Sequence, residues 1–142
     1  MQYLYKEKLN LLELFQIPAE SKTVLLAEPE EYLLALYSGY LTNNNFSVKP
    51  CSQIRQLDGI IKKHSPDLLL FSVHFYEDIS QGLDFLNSLS RDYPTLPVVT
   101  LGHNVGNDIL KDLMSTGIVS HIERKLTRPK DIVVVAKTIL NS

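Results

Sequence analysis

The sequence predicts an α/β domain, a doubly wound five-stranded parallel sheet with one extra helix in front of it. Three observations carry this expectation. Short apolar runs without alternation, such as Leu68 to Ser72, suit strands buried on both faces, as in parallel sheets. Each such run is followed by a segment of helical apolar spacing, so that strands and helices alternate. Breakers stand between them: Pro18, Pro66, Pro94 and Gly117.

Residues 2–16 place Leu4, Leu11, Leu12 and Phe15 on one stripe of a helix, ended by Pro18 and Ser21. The expected units are thus 1–20, an amphipathic helix and linker, and 21–142, the sheet domain. Thr23 to Ala27 is the first strand. The next helix carries Leu33, Leu36, Tyr37, Tyr40 and Leu41 on one face, and Asn43 to Asn45 supply residues that tolerate a left-handed end. Phe46 to Cys51 is the second strand. Ser52 is expected to cap a helix with Ile54, Leu57 and Ile61 inward, closed by Ser65-Pro66. The central strand, Leu68 to Ser72, leads into a polar loop to Ser80. That serine is expected to cap a helix with Leu83, Leu86 and Leu89 inward. Pro97 to Leu101 is the fourth strand, and Asn104 the expected cap of a helix burying Leu110, Leu113 and Met114 before Gly117. Ile118 to Ile122 is the fifth strand. Pro129 suits the first turn of a last helix running to about Leu140.

Composition narrows the function classes. The 142 residues are 44% hydrophobic and 21% charged with a formal net charge of -2, so nothing draws the chain generally to nucleic acid. The basic end, with Arg124, Lys125, Arg128, Lys130 and Lys137, reads as a solvated face. No apolar run is long enough to span a membrane, and one cysteine, Cys51, fits a reducing cytoplasm and a buried strand end. Glu28-Pro29-Glu30-Glu31 lacks the glycines of a nucleotide-binding turn, and there is no Gly-x-Ser-x-Gly elbow, so no enzyme activity is expected.

In an open α/β sheet, ligands sit at the carboxyl ends of the strands. With five units mapped, the chain resembles the receiver domain of two-component response regulators over residues 23–141. The resemblance rests on Val-Leu-Leu-Ala-Glu-Pro-Glu at 24–30, Pro-Asp-Leu-Leu-Leu-Phe-Ser at 66–72, Gly-Leu-Asp-Phe-Leu at 82–86, Pro-Val-Val-Thr-Leu-Gly at 97–102, and Gly117. It implies a flavodoxin-like (βα)5 fold and a signalling role. Receivers resembling this one bind magnesium through an acidic pair after the first strand. They take a phosphoryl group on an aspartate ending the third, and read it out with a hydroxyl after the fourth and a lysine after the fifth. Here those positions hold Glu28 and Pro29, Ser72, Gly102 and Arg124. Lys125 stands where a proline usually follows, and the loop after the third strand is about two residues longer than the pattern.

A divalent cation wants several oxygen ligands, and only Glu28, Glu30 and the His74 carbonyl remain to supply them. The pocket therefore reads as degenerate, a pseudo-receiver with no cofactor, acting as a stand-alone module for protein interaction or oligomerisation in signal transduction. Two alternatives stand beside this: a working single-domain response regulator with atypical chemistry, and a small-ligand or metal-binding regulator in which His74 and His103 join Glu28. His64 and His121 show no partner pattern. The expected association face is the fourth helix, fifth strand and fifth helix, or else the N-terminal helix. In Ile132-Val133-Val134-Val135-Ala136, Ile132, Val135, Ala136 and Ile139 suffice for an inward stripe. Val133 and Val134 then project beside Arg128 and Lys130, toward a protein partner or second copy, unless the N-terminal helix of the same chain covers them.

Overall fold

A computed structural model describes residues 21–124 and 128–141. Five strands, β1 (Thr23–Ala27), β2 (Ser47–Cys51), β3 (Leu68–Ser72), β4 (Val98–Gly102) and β5 (Ser120–Glu123), form one sheet in the order β2-β1-β3-β4-β5. Every pairing is parallel. The helices between them are α1 (Glu31–Thr42), α2 (Leu57–His64), α3 (Ile79–Asp92), α4 (Asn107–Ser115) and α5 (Pro129–Leu140). The doubly wound α/β fold is therefore as expected. The extra N-terminal helix, residues 1–20, lies outside the described residues, as does Lys125.

Side chains alternate across each central strand, and this splits the core into two layers. Leu25, Ala27, Leu69, Phe71 and Val73 face Leu57, Ile61, Leu86, Leu89 and Leu113 of α2, α3 and α4. Val24, Leu26, Leu68, Leu70, Val99 and Leu101 face Tyr37, Leu41, Ile132, Val133 and Ala136 of α1 and α5. The uninterrupted apolar run of β3 arises because both of its faces are covered, and all five residues are buried. The edge strand β2 is protected by Lys49 and by Pro50, whose missing N–H costs nothing at an edge.

Local chemistry sets the ends of the elements. Asn45 (φ 71) and Ser65 (φ 44) turn the chain out of α1 and α2 in the left-handed region, as does Gly117 (φ 90) after α4. Pro129 opens α5.

Three capping expectations fail. Asp78, not Ser80, caps α3, its Oδ1 accepting from the Ser80 backbone N–H at 2.9 Å and from its hydroxyl at 2.8 Å. Ser52 does not cap α2, because a 3₁₀ turn over Ile54–Gln56 intervenes. Asn104 is no cap either. It sits at φ 57, where a cap needs extended backbone, and α4 starts three residues later after Gly106.

Three side chains also differ from expectation. Met114 and Tyr40 are exposed, since one side chain per turn, Leu113 or Leu41, already fills the inward position. Val133 is buried against α1 and the sheet, while Val134, a further 100° round the helix, is exposed.

Candidate functional site

The strand order reverses at β1, so the carboxyl ends of β1 and β3 border the crevice where such sheets hold their ligands. Glu28 and Pro29 follow β1, Ser72 ends β3 with His74 two residues on, Gly102 ends β4, and Arg124 follows β5. The fold thus brings one end of four strands together. Glu30 follows Pro29 and remains exposed.

Glu28 is 1% exposed, a carboxylate buried as deeply as the core leucines. Its Oε1 accepts a hydrogen bond from Arg124 Nη1, and its Oε2 accepts from the Glu30 backbone N–H at 3.0 Å. Burial pushes the Glu28 carboxyl above the usual carboxylate range, against the pull of the Glu30 amide and the Arg124 guanidinium. The Arg124 side chain is itself only 9% exposed. Its Nη2 reaches His103 Nδ1 at 3.0 Å, and since a guanidinium only donates, that nitrogen is the acceptor and the imidazole carries its proton on Nε2. Tyr37 of α1 lies within the electrostatic reach of both Glu28 and Arg124, and burial raises its hydroxyl pKa.

His103 continues the chain of contacts. Its backbone N–H donates to His74 Nε2 at 3.0 Å, and the two rings lie with centroids 4.2 Å apart. His74 is thereby held as the Nδ1–H tautomer, and burial, His103 and Arg124 all hold its pKa below the ordinary histidine value. Each ring therefore has one nitrogen committed as an acceptor. Among the described residues, no group of three or more His, Cys, Asp and Glu side chains is arranged to hold a metal ion.

Ser72 is fully buried. Its Oγ accepts from the His74 backbone N–H at 3.2 Å, so the hydroxyl caps the 3₁₀ turn Val73–Phe75. No base bonds to it among the described residues, so nothing there activates it as a nucleophile. Gly102 has no room for a side chain: an added Cβ would meet Val73 Cγ2 at 2.8 Å, Val105 Cγ2 at 3.0 Å and His121 Cε1 at 3.2 Å.

His121 is the residue that sequence reasoning missed. Thr100 and His121 are partners in the β4–β5 register, and Thr100 Oγ1 lies 2.7 Å from His121 Nδ1. The ring fills the space beside Gly102, and burial lowers its pKa. Its Nε2 lies 3.6 Å from Glu123 Oε2, too far for a hydrogen bond. Glu123 is occupied elsewhere, accepting from the Asn104 N–H at 2.8 Å and the Val105 N–H at 3.4 Å. Only the strand register could have revealed the His121 contact.

The residues present do not fit a magnesium ion. Pro29 offers no side-chain oxygen, both Glu28 oxygens are engaged, and the guanidinium already neutralises the carboxylate that would attract a cation.

Comparison with known proteins identifies the architecture. No curated protein matches the chain. Among solved structures, a response regulator from Thermotoga maritima superposes with a TM-score of 0.76 at 17% identity, covering 86% of this chain and 99% of its own. A CheY-like response regulator receiver domain protein from Methanospirillum hungatei gives 0.76 at 15% identity, over 86% and 95%. An orphan response regulator of H. pylori gives 0.74 at 17% identity, over 84% and 97%. At these identities the likeness is one of fold. The family model of the response regulator receiver domain matches residues 24–136, and on that match the chain belongs to the response regulator receiver family.

Proposed function

We propose that this receiver domain works as a pseudo-receiver, a non-enzymatic protein-interaction module of signal transduction that is not phosphorylated on an aspartate. The observation that supports the reading is the buried pair of Arg124 and Glu28: the one acid left of the acidic pair expected after β1 is already bonded to a guanidinium. Ser72 at the acceptor position is buried and bonded as a turn cap, and Gly102 leaves no hydroxyl for readout. What remains to act is surface. On the face formed by α4, β5 and α5, Val134 is 59% exposed and lines one hollow with Arg128, Lys130 and Lys137, while Met114 and Val119 are exposed elsewhere on it at 46% and 49%. Apolar area beside basic side chains suits a protein partner with acidic groups at its rim, or a second copy.

The test is incubation with acetyl phosphate, and separately beryllofluoride, with magnesium, followed by intact mass and amide NMR spectra. The expected result is no mass increase and no shift of the strand-end residues, in the wild type and equally in Ser72→Asp. A stoichiometric phosphoryl adduct within this pocket of the wild type overturns the reading in favour of a working response regulator.

A further inference from the structure

One buried group at the edge of the sheet is left over from the strand-end chemistry. The His121 side chain is 5% exposed, and its Nε2 meets no hydrogen-bond partner among the described residues. A buried polar atom without a partner is costly to keep, so it calls for a reason. Glu123 Oε2 stands 3.6 Å from it, near but not bonded.

Glu123 in turn holds the loop between β4 and α4. Its carboxylate accepts from the backbone N–H of Asn104 at 2.8 Å and from that of Val105 at 3.4 Å. Asn104 is in the left-handed region at φ 57, where a residue other than glycine stays only if its surroundings hold it. The preceding residue, His103, donates its N–H to His74 Nε2 and accepts from Arg124 on Nδ1. One carboxylate thus stands between a buried imidazole and the loop that carries His103.

We propose that His121 is a proton-controlled latch on the loop 103–106: once protonated, its imidazolium donates to Glu123, and the carboxylate releases the Val105 amide to accept it. The neutral ring has one N–H. Thr100 Oγ1, 2.7 Å from Nδ1, suits either tautomer, because a hydroxyl can donate or accept. The imidazolium has two N–H groups and donates to Thr100 and Glu123 together. A charge-assisted bond is roughly twice as strong as a neutral one and closes to about 2.8 Å. Of the two amides on Glu123, that of Val105 is held at the longer distance, so it is the one given up. The titratable and polar groups that face His121 are Thr100 on β4, Glu123 on β5, and His74 after β3, whose protonation opposes its own. Burial resists the proton and Glu123 favours it, and burial prevails, so the transition falls below the ordinary histidine range. This inference goes beyond the interaction role and is independent of whether the pocket takes a phosphoryl group.

The test is a titration of the full chain from about pH 7.5 to about pH 4.5, followed by imidazole and amide NMR signals. The Val105 amide is expected to titrate at the midpoint of His121. Its protection against hydrogen exchange, relative to the intrinsic rate, is expected to fall about 5-fold, as for the loss of one ordinary hydrogen bond. Thr100→Val keeps the shape of the side chain but takes an acceptor from the imidazolium, so both midpoints are expected to move down together. In His121→Gln the Val105 transition is expected to vanish. A Val105 amide that follows His74, His103 or Glu123 instead overturns the proposal, as does one that stays in place when Thr100→Val moves the His121 midpoint. A His121 that remains neutral until the protein unfolds overturns it as well.

Discussion

Replacing Arg124 by methionine tests the central claim about the site, that one arginine keeps a buried carboxylate tolerable. Glu28 and Arg124 have side chains 1% and 9% exposed, so neither is screened by solvent as a surface pair would be. For charge centres about 4 Å apart in an effective dielectric near 20, their attraction is about 4 kcal/mol. The methionine regains the desolvation of the guanidinium but leaves the carboxylate with the Glu30 amide alone. Breaking one side of a buried pair costs about 3–5 kcal/mol, a large share of the roughly 5–15 kcal/mol that holds a domain together. Urea unfolding is the assay, with the midpoint falling at unchanged slope.

The pH dependence supplies a sharper criterion. Burial already raises the folded Glu28 pKa, and removing Arg124 takes away one of the influences pulling it down. A carboxyl whose folded pKa lies above its unfolded one contributes least at high pH, because stability is lost as pH rises from the unfolded through the folded value. The cost of Arg124→Met is therefore greatest at neutral pH and shrinks in acid, where Glu28 is protonated in both states. Adding Glu28→Gln, which needs no cation, is expected to recover at least half of the loss. A loss below about 1 kcal/mol at neutral pH, the worth of a surface pair, would refute the reasoning. So would an equal loss at about pH 5 and about pH 8.

Two further predictions concern the same end of the sheet. Gly102→Ala pushes a Cβ into Val73, Val105 and His121, so thermal melts are expected to show a loss of about 1–3 kcal/mol, partly relieved by Val105→Ala; an unchanged melt would mean that the contacts yield freely. Acidification from about pH 7 to about pH 5.5 is expected to lower stability, because burial holds His121 and His74 neutral when folded, with pKa values below those of the unfolded chain, and protons then favour the unfolded state; a flat urea midpoint across that window would count against it.

The parallel α/β architecture and the residues at the strand ends were legible in signals along the chain. Those signals are local: the bare apolar run of β3, the helical spacing after each strand, Gly117 at a left-handed turn, Pro129 at a helix start. Because parallel strands all point the same way, whatever follows each one converges on the same end of the sheet, and the resemblance to receiver domains singled out Glu28, Ser72, Gly102 and Arg124 there.

What each of them does there was decided only by the tertiary structure. Arg124 and Glu28 are 96 residues apart, and no spacing rule announces that the guanidinium will bond the Glu28 carboxylate. The β4–β5 register sets Thr100 against His121 and so fills the space beside Gly102, although nothing near His121 in the chain marks it as a core residue. Glu123 holds the amides of Asn104 and Val105, and Asn104 lies in the left-handed region where its residue type alone suggested a helix cap. The contact of α5 with α1 buries Val133 and leaves Val134 outside, within a run of valines that the sequence cannot tell apart. The physical reason is common to all four cases. Periodicity and breakers act over a few residues through backbone sterics, whereas charge pairing, register and close packing depend on distances that exist only after distant segments have been brought together.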